Sequence, residues 1–337
     1  MSKLVVLTGV TGFIAKRIAF DLLEAGYSVR GTLRSQSRAD EVRDALRPHL
    51  SDPSALDRLS FVELDLSHDA GWAEAMAGAD VLMHTASPFP MAQPKNEDDI
   101  IKPAVEGARR AMVAAQAAGV TRVILTSSVV AIEAKDKAGA FTEADWSDPA
   151  HPKSTAYYKS KTLAERAVWD FADAHPEMQV TAINPALVLG TPMDDRFGTS
   201  LELIERVLSG RDPMLPDIGF GIVDVADISA MHIAAMENDA AIGHRFIGSS
   251  ATFTMPRIAQ HLAARHPDRK IATRVAPKLM LRLIGLFDPT IGTVLPQVGR
   301  APTLDNSKAR EVLGISFTSP IVAIDRAADA VLAKQAA

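Results

Sequence analysis

The chain contains no cysteine. That removes disulfide staples, thiol nucleophiles and every zinc site built on sulfur, and it fits a reducing compartment such as the cytoplasm. No apolar run reaches the roughly 18 residues a spanning helix needs, so a membrane is not an expected partner. The opening Lys3-Leu4-Val5-Val6-Leu7-Thr8-Gly9 is too short for a signal-peptide apolar core and lacks a small-residue cleavage site. Charge of one sign is also missing. Lys and Arg total 36 against 41 Asp and Glu, a net charge of −5 without long single-sign runs, so nucleic acid is not expected either. None of the nine histidines forms an HxH or HExxH pair. The acid pairs Asp98-Asp99 and Asp194-Asp195 read as solvated charge, and no metal site is expected.

What is present is ordinary globular material: 337 residues, 47% hydrophobic and 23% charged. This length allows about two domains or one large α/β unit. Short apolar runs at 4–7, 29–33, 61–64, 81–83, 123–125 and 180–183 alternate with helical patterns. Ile14, Ile18 and Leu22 form one apolar stripe, and 104–118 is an Ala-rich helix. Nearly continuous apolar strands between helices predict an α/β fold with a Rossmann-type doubly wound parallel sheet, covered on both faces. Beyond Pro185 the pattern breaks at Pro192, Pro213, Pro216, Gly219 and Gly221, which predicts long loops shaping a substrate site. A helix is expected over 223–237, a strand over 245–247, and amphipathic helices over 255–265 and 307–335. We therefore expect a dinucleotide-binding domain over 1–188, also receiving about 223–250. Residues 189–222 and 251–337 would form a smaller, loop-rich C-terminal substrate-binding region.

Thr8-Gly9-Val10-Thr11-Gly12-Phe13-Ile14-Ala15 joins the first strand to the first helix, the context in which a glycine-rich turn binds a pyrophosphate at a helix N-terminus. Ala15 replaces the third glycine, whose task is helix–strand packing rather than phosphate contact. The second strand then ends in Leu33-Arg34-Ser35, without the carboxylate that would hold an NAD ribose. Arg34 is either a ligand for the 2′-phosphate of NADP(H) or a solvated strand-end cation. Asp65-Leu66 fits an adenine-edge contact, and an Asp-initiated turn would look the same.

Tyr157 and Lys161 stand four residues apart on a helix and so project from one side of it. A nearby ammonium lowers a phenol's pKa, which would make Tyr157 a usable acid; Tyr158, three residues from Lys161, is the competing choice. The buried run Val123-Ile124-Leu125 ends in Thr126-Ser127-Ser128 at the carboxyl edge, where open α/β sheets place ligands. Strand alternation allows only one of the two serines to face that site.

Together these motifs resemble the extended short-chain dehydrogenase/reductase family. Within it they resemble the branch of dihydroflavonol reductases, cinnamoyl-CoA reductases and bacterial NADPH-dependent aldehyde or ketone reductases. The carriers are TGVTGFIA, the Arg34 strand end, His84-Thr85-Ala86-Ser87-Pro88, LTSS, Tyr157-x-x-x-Lys161 with SKTLAE, Asn184-Pro185 and Val223-Asp224-Val225-Ala226-Asp227. The resemblance implies a catalytic trio of Ser128, Tyr157 and Lys161, with Tyr157 donating a proton to a substrate carbonyl. It implies that Gly9, Thr11, Gly12, Phe13 and Ile14 line the pyrophosphate and Arg34 the 2′-phosphate. Asp65 and Leu66 would line the adenine, Thr85, Ala86 and Ser87 the central cofactor, and Pro185, Leu187 and Val188 the nicotinamide. Glu133 stands where dihydroflavonol reductases carry a flavonoid-recognising Asn, and the NWYCY-type run of cinnamoyl-CoA reductases is missing. Neither a flavonoid nor a CoA thioester is therefore expected. The expected partner is a small carbonyl or alcohol substrate, with the chain a monomer or homodimer. Leu215, Ile218, Phe220, Met280, Ile284 and Phe287 are apolar candidates for the pocket. The rival readings are a nucleotide-sugar epimerase or dehydratase, and a non-catalytic dinucleotide sensor.

Overall fold

The computed structural model describes residues 2–87, 96–284, 286 and 295–336. Pro88 and Phe287 lie outside the described residues, as does the side chain of Ile284. The first half alternates strand and helix: β1 (Leu4–Leu7), α1 (Phe13–Glu24), β2 (Ser28–Leu33), α2 (Ala39–Leu46), β3 (Leu59–Glu63), α3 (Trp72–Met76), β4 (Val81–His84), α4 (Asp98–Ala117) and β5 (Arg122–Thr126). Then come α5 (Ala156–Ala174), β6 (Gln179–Pro185), β7 (Leu187–Leu189), α6 (Thr199–Ser209), β8 (Gly219–Asp224), α7 (Val225–Glu237), β9 (Arg245–Gly248), β10 (Ala251–Thr254) and α8 (Met255–Arg265).

Seven strands pair in parallel in the order β3-β2-β1-β4-β5-β6-β9. Period-2 alternation explains why these strands are apolar throughout. Val5 and Leu7 pack under α1, α2 and α7 with Ile18, Leu22, Val42 and Ile228, whereas Val6 and Leu82 pack on the other face with Met76, Ala111 and Met112. The order reverses between β1 and β4, the switch point at which doubly wound sheets open a ligand crevice. Among the described residues, no helix is long and apolar enough to cross a membrane.

The stretch expected to be loops is more regular than its prolines imply. It holds α6 and most of a second sheet, ordered β10-β8-β7, closed by α8 and the helix Pro320–Ala336 over a core of Leu201, Ile204, Phe253, Ile258 and Ile324. The helical pattern expected over 307–335 is two helices, Ser307–Leu313 and Pro320–Ala336, because Gly314 ends the first at φ +67°. The helix expected from 223 begins at Val225: Asp224 ends β8 and caps α7 by accepting from the Ala226 N–H at 2.9 Å. Asp194 is not a solvated acid. It pairs with Lys16, a cation only 2% exposed on α1, and Lys16 also reaches Glu41 at 3.3 Å, so the loop before α6 is pinned to the first helix. The sequence hides this, since the partners lie far apart in the chain.

Candidate active site

The crevice at the switch point is made largely of backbone. Gly9 sits at φ +67°, and a Cβ there would fall 2.9 Å from the Ala86 Cβ, so only glycine lets the turn close on the β4 end. Gly12 caps α1 without a side-chain hydrogen bond to its first N–H groups. Thr8 fastens the two strand ends. Its Oγ1 accepts from the Thr85 N–H at 3.1 Å and the Ala86 N–H at 3.0 Å, and it lies 2.9 Å from His84 Nδ1. With both amides donating to it, the Thr8 hydroxyl donates to Nδ1, and His84 is neutral: burial, with Lys161 nearby, pulls its pKa down to about 4. The resulting cavity holds about 550 Å³ and runs from Gly9, Thr11 and Gly12 past Thr85, Ala86 and Ser87 to Arg34, Asp65 and Leu66. This space, the glycine cradle and the exposed Arg34 fit a phosphorylated dinucleotide. Asp65 lines the cavity, but its carboxylate accepts from the Ser67 N–H at 2.8 Å and hydroxyl at 2.6 Å, as an Asp-initiated turn requires.

At the end of β5 the two serines separate as alternation demands. Ser127 Oγ donates to Glu165 at 2.5 Å beneath the surface, whereas Ser128 meets the Tyr157 phenol in a hydrogen bond. Thr155 caps α5 and so sets where Tyr157 and Lys161 emerge, one turn apart. The competing tyrosine has another partner: Tyr158 donates to Glu133 Oε1 at 2.9 Å. One expectation fails here. Lys161 does not lower the Tyr157 pKa in the free protein; burial pushes the phenol up to about 12, with the Ser128 hydrogen bond opposing. Burial also pulls Lys161 down to about 8, against the upward pull of Glu165. At neutral pH the phenol therefore carries its proton and the amine its charge.

Beside Tyr157 lies a second cavity of about 290 Å³. Ser128, Tyr157, Leu187, Ile218 and Phe220 line it, and Glu133, Tyr158, Gln297 and Arg300 form a polar end. Arg300 donates to the Glu133 backbone carbonyl and to Gln297 Oε1. Burial raises the Glu133 pKa against the opposing Arg300 charge and Tyr158 hydrogen bond. The sequence singles out Glu133 and Tyr158 but not Gln297 and Arg300, which meet them only in space. The other expected residues divide. Ile218 and Phe220 line the cavity as expected; Leu215 is instead in the core around α6, and Met280 packs against the Ile218 cluster. The Phe13 and Ile14 side chains pack, partly buried, against the core while their backbone opens α1, and Val188 is 5% exposed in the same core. The Pro185 carbonyl accepts from Ser128 at 3.4 Å. No three His, Asp or Glu side chains gather to hold a metal among the described residues.

A doubly wound sheet with a glycine cradle at its switch point, and a serine–tyrosine–lysine set beside it, defines the class of dinucleotide-dependent enzymes with short-chain dehydrogenase architecture. The chain belongs to the NAD dependent epimerase/dehydratase family, whose pattern matches residues 5–247. It is 31% identical to the NADPH-dependent methylglyoxal reductase of Saccharomyces cerevisiae, over 97% of this chain and 98% of that one. It is also 31% identical to an anthocyanidin reductase of Vitis vinifera, over 80% of this chain and 83% of that one. Among solved structures, the yeast methylglyoxal/isovaleraldehyde reductase complexed with NADPH superposes with a TM-score of 0.82 at 29% identity, covering 99% of each chain.

Proposed function

We propose that this chain is an NADPH-dependent reductase that converts an aldehyde or ketone to the alcohol, with Tyr157 as proton donor. The observation that carries the reading is the hydrogen-bonded Ser128–Tyr157 pair, which opens into a cavity of small-molecule size beside the dinucleotide crevice. A bound reduced nicotinamide supplies the hydride. Ser128 hydrogen-bonds the substrate carbonyl oxygen, and Tyr157 gives it a proton as negative charge develops there. Burial keeps the phenol protonated across the neutral range, so it is loaded for reduction. Lys161, charged at neutral pH, would hold the nicotinamide ribose and return a proton toward Tyr157. Gly9, Thr11 and Gly12 would hold the pyrophosphate, and Arg34 the 2′-phosphate. Arg34 in place of a carboxylate, and the NADPH named for the yeast relatives, favour the phosphorylated cofactor over the NAD usual in a sugar epimerase. Residues 1–188 with 223–250 would form the dinucleotide-binding part, joined by the helix Ser307–Leu313, whose Ala309 and Leu313 pack in the same core, and 189–222 with the rest of 251–337 would form the substrate part.

The test is a panel of small aldehydes and ketones, following NADPH absorbance with NADH in parallel. Faster oxidation of NADPH with at least one carbonyl compound is the expected result. Tight dinucleotide binding with no net oxidation across the panel would favour an epimerase, and the absence of dinucleotide binding would end both readings.

A further inference from the structure

Glu165 is the most heavily engaged carboxylate behind the site. It is 1% exposed, and both oxygens are spoken for: Ser127 Oγ at 2.5 Å and Asn184 Nδ2 at 2.8 Å on one, Arg245 Nε at 2.6 Å and Trp169 Nε1 at 3.3 Å on the other. Asn184 Nδ2 also reaches the Ser128 carbonyl at 3.1 Å. Glu165 thus holds the β5 end on both sides of the peptide that carries Ser128. It also stands one helical turn after Lys161, and the two share a cavity of about 20 Å³, space for about one water.

We propose that Glu165 is a positioning residue for the reaction assigned above: it fixes the strand end bearing Ser128 and holds the charge on Lys161 across the small cavity. Every titratable neighbour is consistent with this role. His84, on the β4 side, is neutral, and α4 presents only Ala104 and Ala108. Arg245 from β9 pairs with Glu165 and is not part of the lining of the small cavity that holds Lys161. Glu165 is the group that pulls the Lys161 pKa upward, against the desolvation that pulls it down.

The inference rests on the proposed roles of Tyr157 and Lys161, so its test reads the free protein rather than turnover. Lysines of the full chain are reductively methylated with ¹³C, and the Lys161 resonance, assigned by its loss in Lys161→Arg, is titrated. Glu165→Gln alone would leave the buried Arg245 charge without its carboxylate partner. The charge-balanced double change Glu165→Gln/Arg245→Gln should instead move the Lys161 midpoint to lower pH by about one unit or more. Arg245→Gln alone should move it to higher pH, because it strips the carboxylate of its other cation. Opposite displacements would not follow from mere loosening of the fold. Glu165→Asp, which keeps the charge but shortens the reach, should keep the midpoint near wild type while Tm falls. A folded double variant with an unmoved midpoint overturns the proposal, and if that variant does not fold, an unmoved midpoint in Arg245→Gln does so. Should Lys161→Met reduce carbonyls at the native rate, the reductase reading fails separately, and the titration still decides what Glu165 does.

Discussion

The dinucleotide crevice and the cavity beside Tyr157 are linked through the small space that Ala86 and Ser87 share with Ser127 and Lys161, yet they are built by opposite means. The crevice is a backbone feature: Gly9 at positive φ against Ala86, the N-terminus of α1 with no side-chain cap, and one hydroxyl, Thr8, tying β1 to β4. Apart from Pro103 its lining comes from the carboxyl ends of the first four strands and the turns that follow them, so its shape follows from local geometry at the sheet's switch point. The cavity is largely a side-chain feature, assembled from the end of β5, α5, α6, β8 and the segment around Arg300, and its polar end depends on a Glu133 carboxylate that accepts from Tyr158 and an Arg300 guanidinium that reaches the Glu133 backbone carbonyl across the fold. A crevice of backbone suits a ligand common to many enzymes, whereas a cavity of paired side chains is free to vary with the substrate.

The strongest way to test that separation is Tyr157→Phe. It removes the only atom that distinguishes the residue as an acid and leaves the crevice lining untouched. Carbonyl reduction should fall by about 10²–10⁴-fold, while NADPH affinity, measured by fluorescence titration, stays within about twofold. A parallel loss of affinity would show that the two regions are one.

Acid probes what the regions share. His84 under the crevice and His232 under β5 are both neutral, pulled down by burial to about 4 from an ordinary value of 6.5. His232 bridges the Ile228 carbonyl and the Thr126 hydroxyl, each at 2.7 Å. Between these values the unfolded chain takes up protons that the fold refuses. Stability is therefore full above about pH 6.5 and falls as pH drops toward 4, by roughly 3 kcal/mol for each histidine at the limit. Denaturant unfolding followed against pH should lose about half of this slope in either His84→Asn or His232→Asn. Only His84→Asn should also weaken dinucleotide binding, since only His84 supports Thr8.

The same contrast governs what was legible in the sequence. Strands β1 to β6 could be placed because both faces of the main sheet are covered, which leaves uninterrupted apolar runs, and the glycine turn follows the first of them. Spacing narrowed the Ser–Tyr–Lys set to one helix face and one of two adjacent serines, with Ser127 and Tyr158 still open, and the family resemblance rather than the spacing pointed to Ser128 and Tyr157. The second sheet was not. Strand β8 begins Gly219-Phe220-Gly221, where a Cβ would fall 2.6 Å from Ala301 or from the Leu304 side chain, so glycines required by close packing read as loop. The α6 pattern was hidden between Pro192 and Pro213. The raised Tyr157 pKa was hidden too, because spacing shows an amine nearby but not how much water the fold removes.

Arg34→Ala addresses the crevice alone. A charge-assisted contact to a phosphate is worth about 1.5–3 kcal/mol, so NADPH affinity should drop by about tenfold to a hundredfold, with NADH changing by less than about twofold. Equal losses for both would detach Arg34 from the 2′-phosphate and reopen the choice of cofactor, without disturbing the cavity.

The smallest expected effect is the most diagnostic for the cavity. Glu133 is buried with its pKa raised, so the fold penalises its ionised form, and Tyr158 already satisfies one of its oxygens. Glu133→Gln keeps the size and an acceptor for Tyr158 while removing the charge. Its stability at neutral pH should be unchanged or higher by about 1 kcal/mol, because a desolvated carboxylate is relieved. Discrimination among carbonyl substrates should shift instead: KM for those bearing a hydroxyl or amino group should rise severalfold, with KM for purely apolar ones and NADPH affinity unchanged. If all substrates suffered alike, Glu133 would be supporting Tyr158 and the Arg300 segment rather than reading the ligand, and the polar end would be scaffold. If NADPH affinity fell as well, the crevice would depend on side chains across the fold, and the division between a backbone-built and a side-chain-built region would no longer describe this protein.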